Sequence, residues 1–227
     1  LKYLISYPDA VLIKMRLNEL LEKDHHVNSA GSYTVRSLYF DDYYNNAYNE
    51  KYMGVMSRQK YRIRIYNNSD HVIRLERKIK SKSYIYKQSA PLNRAEVDKI
   101  MWGEYAFLLK SSNTLQQILY YECVSRLMRP RVIVDYERDP YIFDAGSVRV
   151  TFDKNVRAGV EALDLFNSNM AMVETLDPGK LIMEVKFTEF LPNVVREILP
   201  PKSAQFASVS KYVLCCDKTL YKRRSEK

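Results

Sequence analysis

The chain has 227 residues, 46% of them hydrophobic and 28% charged, enough to bury one large core or two small ones in a globular protein. Its 36 lysines and arginines against 27 acids leave a formal charge of +9 and a pI near 9.3, which points to an anionic partner: nucleic acid, a phosphate-rich small molecule or a membrane surface. Cys123, Cys215 and Cys216 lack the spacing of a zinc site or a disulfide framework, so a reducing, cytoplasmic setting is expected, and no run reads as a membrane span or signal peptide.

Residues 1–6 read as a strand that starts abruptly at Leu1, as if trimmed. Pro8 and Asp9 open a helix to about Lys23, with Val11, Leu12, Met15, Leu17, Leu20 and Leu21 as its apolar stripe. A second strand covers 33–40, and the tyrosine-rich stretch 41–51 reads as a turn and short helix. Three long strands follow at 57–66, 70–80 and 84–92, the first two joined by the turn Asn67-Asn68-Ser69-Asp70. Asn93 with Glu96 forms a capping box for a short helix ending near Gly103. Thr114 with Gln117 predicts another, for a helix from Leu115 to Met128 that Pro130 terminates. Strands at 131–138, 148–155 and 181–188, a loop-rich stretch at 158–180 and a helix near 208–217 complete the chain, with Lys222-Arg223-Arg224 in a basic tail over 218–227. About eight strands, no βαβ pattern and no internal repeat predict one α+β domain over 1–217, an antiparallel β-barrel with surrounding helices.

Several strands alternate charged with apolar residues. Tyr61-Arg62-Ile63-Arg64-Ile65 turns two arginines to one face and apolar side chains to the other. Arg74 to Lys80, Val148 to Asp153 and Leu181 to Phe187 repeat the pattern, which suggests a charged face collected around something anionic. Arg62 and Arg64 stand about 6.8 Å apart by strand rise, close to the spacing of alternate phosphates in a chain. Arginine forks grip phosphate oxygens bidentately, and lysines add point charge. Glu76 and Glu184, set among these cations, are either counter-ions that permit burial or carboxylates for a divalent metal bridging phosphate oxygens. Phosphate loops of the G-x-x-x-x-G-K-[ST] and G-x-G-x-x-G types are absent. His25, His26 and His71 read as solvated surface, so covalent catalysis by Ser or Cys with histidine is not expected.

Arg62-x-Arg64, Glu76-Arg77-Lys78, Tyr136-x-Arg138, Val148 to Asp153, Glu184-Val185-Lys186 and Ser210-Lys211-Tyr212 occur in the order of the vacuolar transporter chaperone (VTC) polyphosphate polymerase domain. The chain resembles that family, in its bacterial branch, from Lys2-Tyr3 to about Tyr212. The family belongs to the triphosphate tunnel metalloenzymes, with a CYTH-like fold. The resemblance implies an eight-stranded antiparallel tunnel binding triphosphate or polyphosphate with Mn2+ or Mg2+. It makes Arg62, Arg64, Lys78, Arg138, Arg149, Lys186 and Lys211 the catalytic cations, with Lys2, Lys87, Tyr136 and Ser210 as further phosphate ligands. Glu184, with Glu76 as a second candidate, would hold the metal. Lys51 stands where the family pattern has an arginine, which implies a weaker phosphate contact there. The activity implied is transfer of the γ-phosphate of ATP to polyphosphate. A triphosphatase or polyphosphatase on the same site, and a non-catalytic polyphosphate-binding module, are the alternatives. A nucleic-acid binder is disfavoured, because the basic residues alternate with core-type residues instead of standing beside exposed stacking aromatics.

Overall fold

The computed structural model describes residues 1–24, 27, 31–82, 84–200 and 209–224; His25 and His26 lie outside the described residues. In chain order the elements are β1 (Lys2–Ser6), α1 (Tyr7–Asn18), β2 (Glu22–Lys23), β3 (Tyr33–Asp41), α2 (Asn46–Tyr52), β4 (Ser57–Tyr66), β5 (Ser69–Ser81), β6 (Tyr84–Leu92), α3 (Arg94–Trp102), α4 (Ala106–Leu109), α5 (Thr114–Ser125), β7 (Arg129–Phe143), β8 (Val148–Gly159), β9 (Met172–Glu174), β10 (Lys180–Lys186), α6 (Asn193–Ile198) and α7 (Lys211–Arg224). Among the described residues, no helix is long and apolar enough to cross a membrane.

The chain divides into two compact units. The first comprises Leu1–Thr34, Tyr136–Arg157 and Glu174–Val209, and the second Val35–Asp135, Ala158–Val173 and Ser210–Lys227. In the first, strands hydrogen-bond in the order β1-β10-β8-β7; in the second the order is β7-β3-β4-β5-β6. These are the eight strands expected, with β2 and β9 as short additions on β7 and β8.

Each unit covers one sheet face with helices. In the first, Tyr3, Ile5, Val150, Phe152, Met183 and Val185 pack with Ala10, Ile13 and Leu17 of α1 and Val195 and Ile198 of α6. In the second, Leu38, Ile63, Ile65 and Leu75 pack with Val97 and Ile100 of α3, Leu108 of α4 and Leu115, Leu119 and Cys123 of α5. The alternating residues on the opposite faces are the polar and charged ones, as the period-2 pattern requires.

Local signals explain much of this. Asn67 and Asn68 both take positive φ (51° and 53°), the left-handed pair that a two-residue hairpin needs and that asparagine tolerates. Ser6 and Asp9 cap α1 reciprocally. Asn93 and Glu96 cap α3, and Gly103 closes it at φ 83°.

Three expectations require correction. Helix α1 ends at Asn18, short of Lys23, and buries Ala10, Ile13 and Leu17, while Val11, Leu12 and Met15 are exposed. Apolar residues lie on two sides of this helix, so periodicity alone could not choose the side that meets the sheet. The cap of α5 is Asn113, whose side chain accepts from Leu115 N, while Gln117 donates to Ser111 O. That helix ends at Ser125, because Leu127 turns to φ 52° and β7 starts at Arg129 with Pro130 inside it. Helix α7 continues to Arg224, into the stretch expected as a tail.

Candidate functional site

In the second unit, β4 is the middle of a register that places charged residues side by side. Tyr39 faces Arg62, which faces Glu76; Ser37 faces Arg64, which faces Arg74. Lys60 faces Lys78, which faces Lys87 on β6, and Arg58 faces Lys80. Directly opposed residues share a sheet face. The rows from Arg58–Lys80 to Arg64–Arg74 therefore present Arg58, Lys60, Arg62, Arg64, Arg74, Lys78, Lys80 and Lys87 on one face of β4, β5 and β6, with Glu76 the carboxylate among them. Arg77 falls on the other face, where its guanidinium lies over the Tyr61 ring at 5.5 Å and bonds Gln59.

Glu76 gathers this face. Arg62 Nε and Nη2 reach its Oε2 at 2.7 and 2.6 Å, Lys87 Nζ reaches Oε1 at 2.5 Å, and Arg64 Nη1 stands 3.8 Å away. Burial opposes the carboxylate charge, but Arg62, Arg64 and Lys87 outweigh it and hold Glu76 down at about 2. Arg62 also donates to Tyr39 OH at 2.7 Å and Arg64 to Ser37 Oγ at 3.2 Å. Burial works to raise the Tyr39 hydroxyl, yet Arg62, Arg64 and Lys211 leave it below its ordinary value.

The start of α7 joins the same face. Tyr212 stacks on Tyr39 with ring centroids 5.1 Å apart, and Lys60 Nζ donates to Ser210 Oγ at 3.2 Å. Lys51 on α2 is lowered by burial and by Arg58 and Lys80, which places it at the Arg58 end of the rows. Of the expected residues, this unit holds Arg62, Arg64, Lys78, Lys87, Lys51, Ser210, Lys211 and Glu76.

The first unit holds Lys2, Tyr136, Arg138, Arg149, Glu184 and Lys186. Lys2 faces Glu184 across β1 and β10, and Lys186 faces Arg149 across β10 and β8. Lys2 Nζ sits 3.0 Å from Glu184 Oε1 and donates to Val209 O at 2.8 Å. Arg138 grips the fully buried Asp153 with two hydrogen bonds of 2.6 and 2.8 Å and lies over the Tyr136 ring at 5.2 Å. Arg149 Nη2 donates to Asp24 at 2.7 Å and Tyr33 OH at 3.1 Å, while its buried Nε has no hydrogen-bond partner among the described residues.

Sequence reasoning missed Lys60, Tyr39 and Asp24. Lys60 and Tyr39 carry a legible signal, since Lys60 continues the Arg62-x-Arg64 alternation and Tyr39 has the parity of Ser37. Asp24 carried none, because it reaches Arg149 from a loop 125 residues away. His71 is exposed, as expected.

Among the described residues no group of three or more His, Cys, Asp or Glu side chains comes together. A metal cage built from protein alone is therefore not formed by them. A lone carboxylate such as Glu184, set beside Lys2, suits a hard divalent ion that takes its remaining oxygens from phosphates and water.

Residues 1–220 match the family model of the VTC domain. None of the curated proteins matches. Among solved structures, the chain is similar to HpAC1, a candidate adenylyl cyclase from Hippeastrum described with a dominant triphosphatase activity, at 13% identity and a TM-score of 0.59 over 96% of this chain and 94% of that one. A candidate adenylate cyclase from Bacillus halodurans aligns at 10% identity and a TM-score of 0.48, over 100% of this chain and 89% of that one. The likeness to the Hippeastrum structure shows the shared fold.

Proposed function

Because the chain belongs to the VTC domain family, with the CYTH-like triphosphate tunnel fold, we propose that it transfers the γ-phosphoryl group of ATP to the end of an inorganic polyphosphate chain. The observation that carries this reading is the cationic face of β4, β5 and β6, where rows of Lys and Arg recur every second residue against one buried carboxylate. A linear polyanion fits such a repeat, because each row supplies charge about 6.8 Å further along the strand, close to the spacing of alternate phosphates, whose oxygens these cations can grip.

In this reading Arg62, Arg64, Lys78 and Lys87 hold phosphate oxygens, with Lys211 and Ser210 beside them. Lys2, Arg138, Arg149 and Lys186 are the first unit's phosphate-binding cations, and Tyr136 keeps Arg138 in place. Glu184 holds the divalent ion, Mn2+ or Mg2+, which when bound neutralises charge on the transferring phosphoryl group. The bond from the β–γ bridging oxygen to the γ-phosphorus breaks and one from the terminal polyphosphate oxygen forms. ADP leaves, and no proton needs to be removed from an already anionic acceptor.

Hydrolysis is the second reading, supported by the triphosphatase activity described for the Hippeastrum protein. A water nucleophile needs a base. Glu76, held at about 2 by its cations, is a poor one, and Asp153 is engaged by Arg138. Both observations support the anionic acceptor over water. Incubation with ATP and Mn2+ or Mg2+, followed by separation of the products, tests the choice. Long-chain polyphosphate with ADP supports the polymerase; orthophosphate alone identifies a hydrolase. Tight, salt-sensitive polyphosphate binding without turnover identifies a binding module.

A further inference from the structure

We propose that Lys60 is a proton-coupled phosphate ligand, which rests as a neutral amine and takes up a proton when an anionic phosphate settles against the Lys60–Lys78–Lys87 row. The proposal deepens the reading that this face binds a polyphosphate, and it rests on that reading.

The geometry sets Lys60 apart from its neighbours. Arg62, Arg64 and Lys87 share the carboxylate of Glu76. Lys60, one row further along, pairs with no carboxylate among the described residues. Its Nζ donates to the neutral Ser210 Oγ at 3.2 Å and lies 4.8 Å from the Tyr212 ring centre. The charged groups around it are mostly cationic: Arg58 and Arg62 on β4, Lys78 opposite it and Lys80 diagonal to it on β5, Lys87 on β6 and Lys51 on α2, with Glu76, the other diagonal neighbour on β5, engaged by Arg62, Arg64 and Lys87. Tyr212 and Cys216 on α7 and Asp41 on β3 also act on it, and Tyr39 on β3 stacks on Tyr212.

Asp41 makes no ion pair with Lys60, and its charge favours the Lys60 ammonium by less than Lys51 or Arg58 disfavours it. Its oxygens already accept from Asp42 N, Ala47 N, Tyr48 N and Tyr212 OH. Burial first, and then Lys51 and Arg58, bring the Lys60 ammonium from 10.5 to about 7. A phosphate seated on this row supplies the absent negative charge, and an opposite charge within about 4–6 Å favours the protonated amine. The empty face is thereby spared one repulsive charge, and the occupied face regains it.

The test is calorimetric titration of the full chain with tripolyphosphate at pH 8 and pH 6, in two buffers of different ionisation enthalpy. The comparison is with Lys60→Met and Lys60→Arg, neither of which titrates in this range. At pH 8 a group titrating near 7 is roughly nine-tenths neutral, so the wild type should take up close to one proton more per ligand than either variant. That excess should disappear at pH 6. The ligand's own protonation is common to all three proteins and cancels. Equal proton counts at pH 8 overturn the role of Lys60 and leave polyphosphate binding standing. Absence of tripolyphosphate binding by the wild type overturns both. If Lys60→Met does not fold, Lys60→Arg alone decides, since it keeps a permanent charge.

Discussion

Glu76→Gln keeps the shape and hydrogen-bonding capacity of the side chain while removing its charge, and so isolates what that carboxylate does. Its side chain is 4% exposed and is held by Arg62, Arg64 and Lys87. The fall of its titration from 4.5 to about 2, at 1.36 kcal/mol per unit, corresponds to about 3 kcal/mol of stabilisation. That agrees with the roughly 3–5 kcal/mol lost when one partner of a buried ion pair is removed, with the lower end expected because the Lys87 side chain is 52% exposed. For a chain of this length it is a fall of roughly 6–12 °C in Tm. The sign with pH follows from the lowered value. The contribution is fully present above about 4.5 and is lost as pH falls toward about 2, so the gap between wild type and variant should close in acid. Tripolyphosphate should raise the Tm of the variant more than that of the wild type, because the ligand replaces the missing anion. Thermal melts at fixed ionic strength, with and without tripolyphosphate, measure all three effects. An unchanged Tm, or equal ligand shifts in the two proteins, would refute the counter-ion account of Glu76 and return it to the candidates for the metal.

Arg64→Ala should reduce turnover by roughly 10²–10³-fold, the loss typical of one preorganised donor, while Lys110→Ala, at an exposed site at the end of α4, should leave it within twofold. Equal losses from both, reproduced by high salt, would identify diffuse attraction instead of a site. Glu184→Gln should retain the wild-type melt and lose metal-dependent turnover; retained turnover with a lowered Tm would make Glu184 only the counter-ion of Lys2. Without ligand, Lys60→Met should be more stable than the wild type below about pH 7. The unfolded chain binds the extra proton between about 7 and 10.5, so wild-type stability rises with pH there and the advantage of the variant should shrink to nothing near 10.5. Melts at pH 6 and pH 9 in a phosphate-free buffer check this.

Strand parity was legible in the chain itself, because it depends only on which residues are two apart. Tyr61-Arg62-Ile63-Arg64-Ile65 had to turn its arginines away from its apolar side chains, and the structure buries Ile63 and Ile65 with α3, α4 and α5 as that parity requires. The Asn67-Asn68 turn and the Asn93–Glu96 cap were equally local and formed as read. Partnership was not local. Whether Glu76 met cations or a metal depended on the register that sets it between Arg62 and Ser89, a choice made by summed cross-strand pairing. The side of α1 that packs was decided by the sheet it meets, since both sides carry apolar residues. Lys60 shares in sequence the alternation of Arg62 and Arg64, but nothing in that pattern sets its environment apart from theirs. It becomes a half-buried amine without a carboxylate partner among the described residues only because folding brings Ser210 and Tyr212, some 150 residues away, over its nitrogen. The alternation of charge is therefore a property of the chain, whereas the environment that tunes each charge is a property of the tertiary structure, because desolvation and Coulomb energy depend on distance in space and not on separation in sequence.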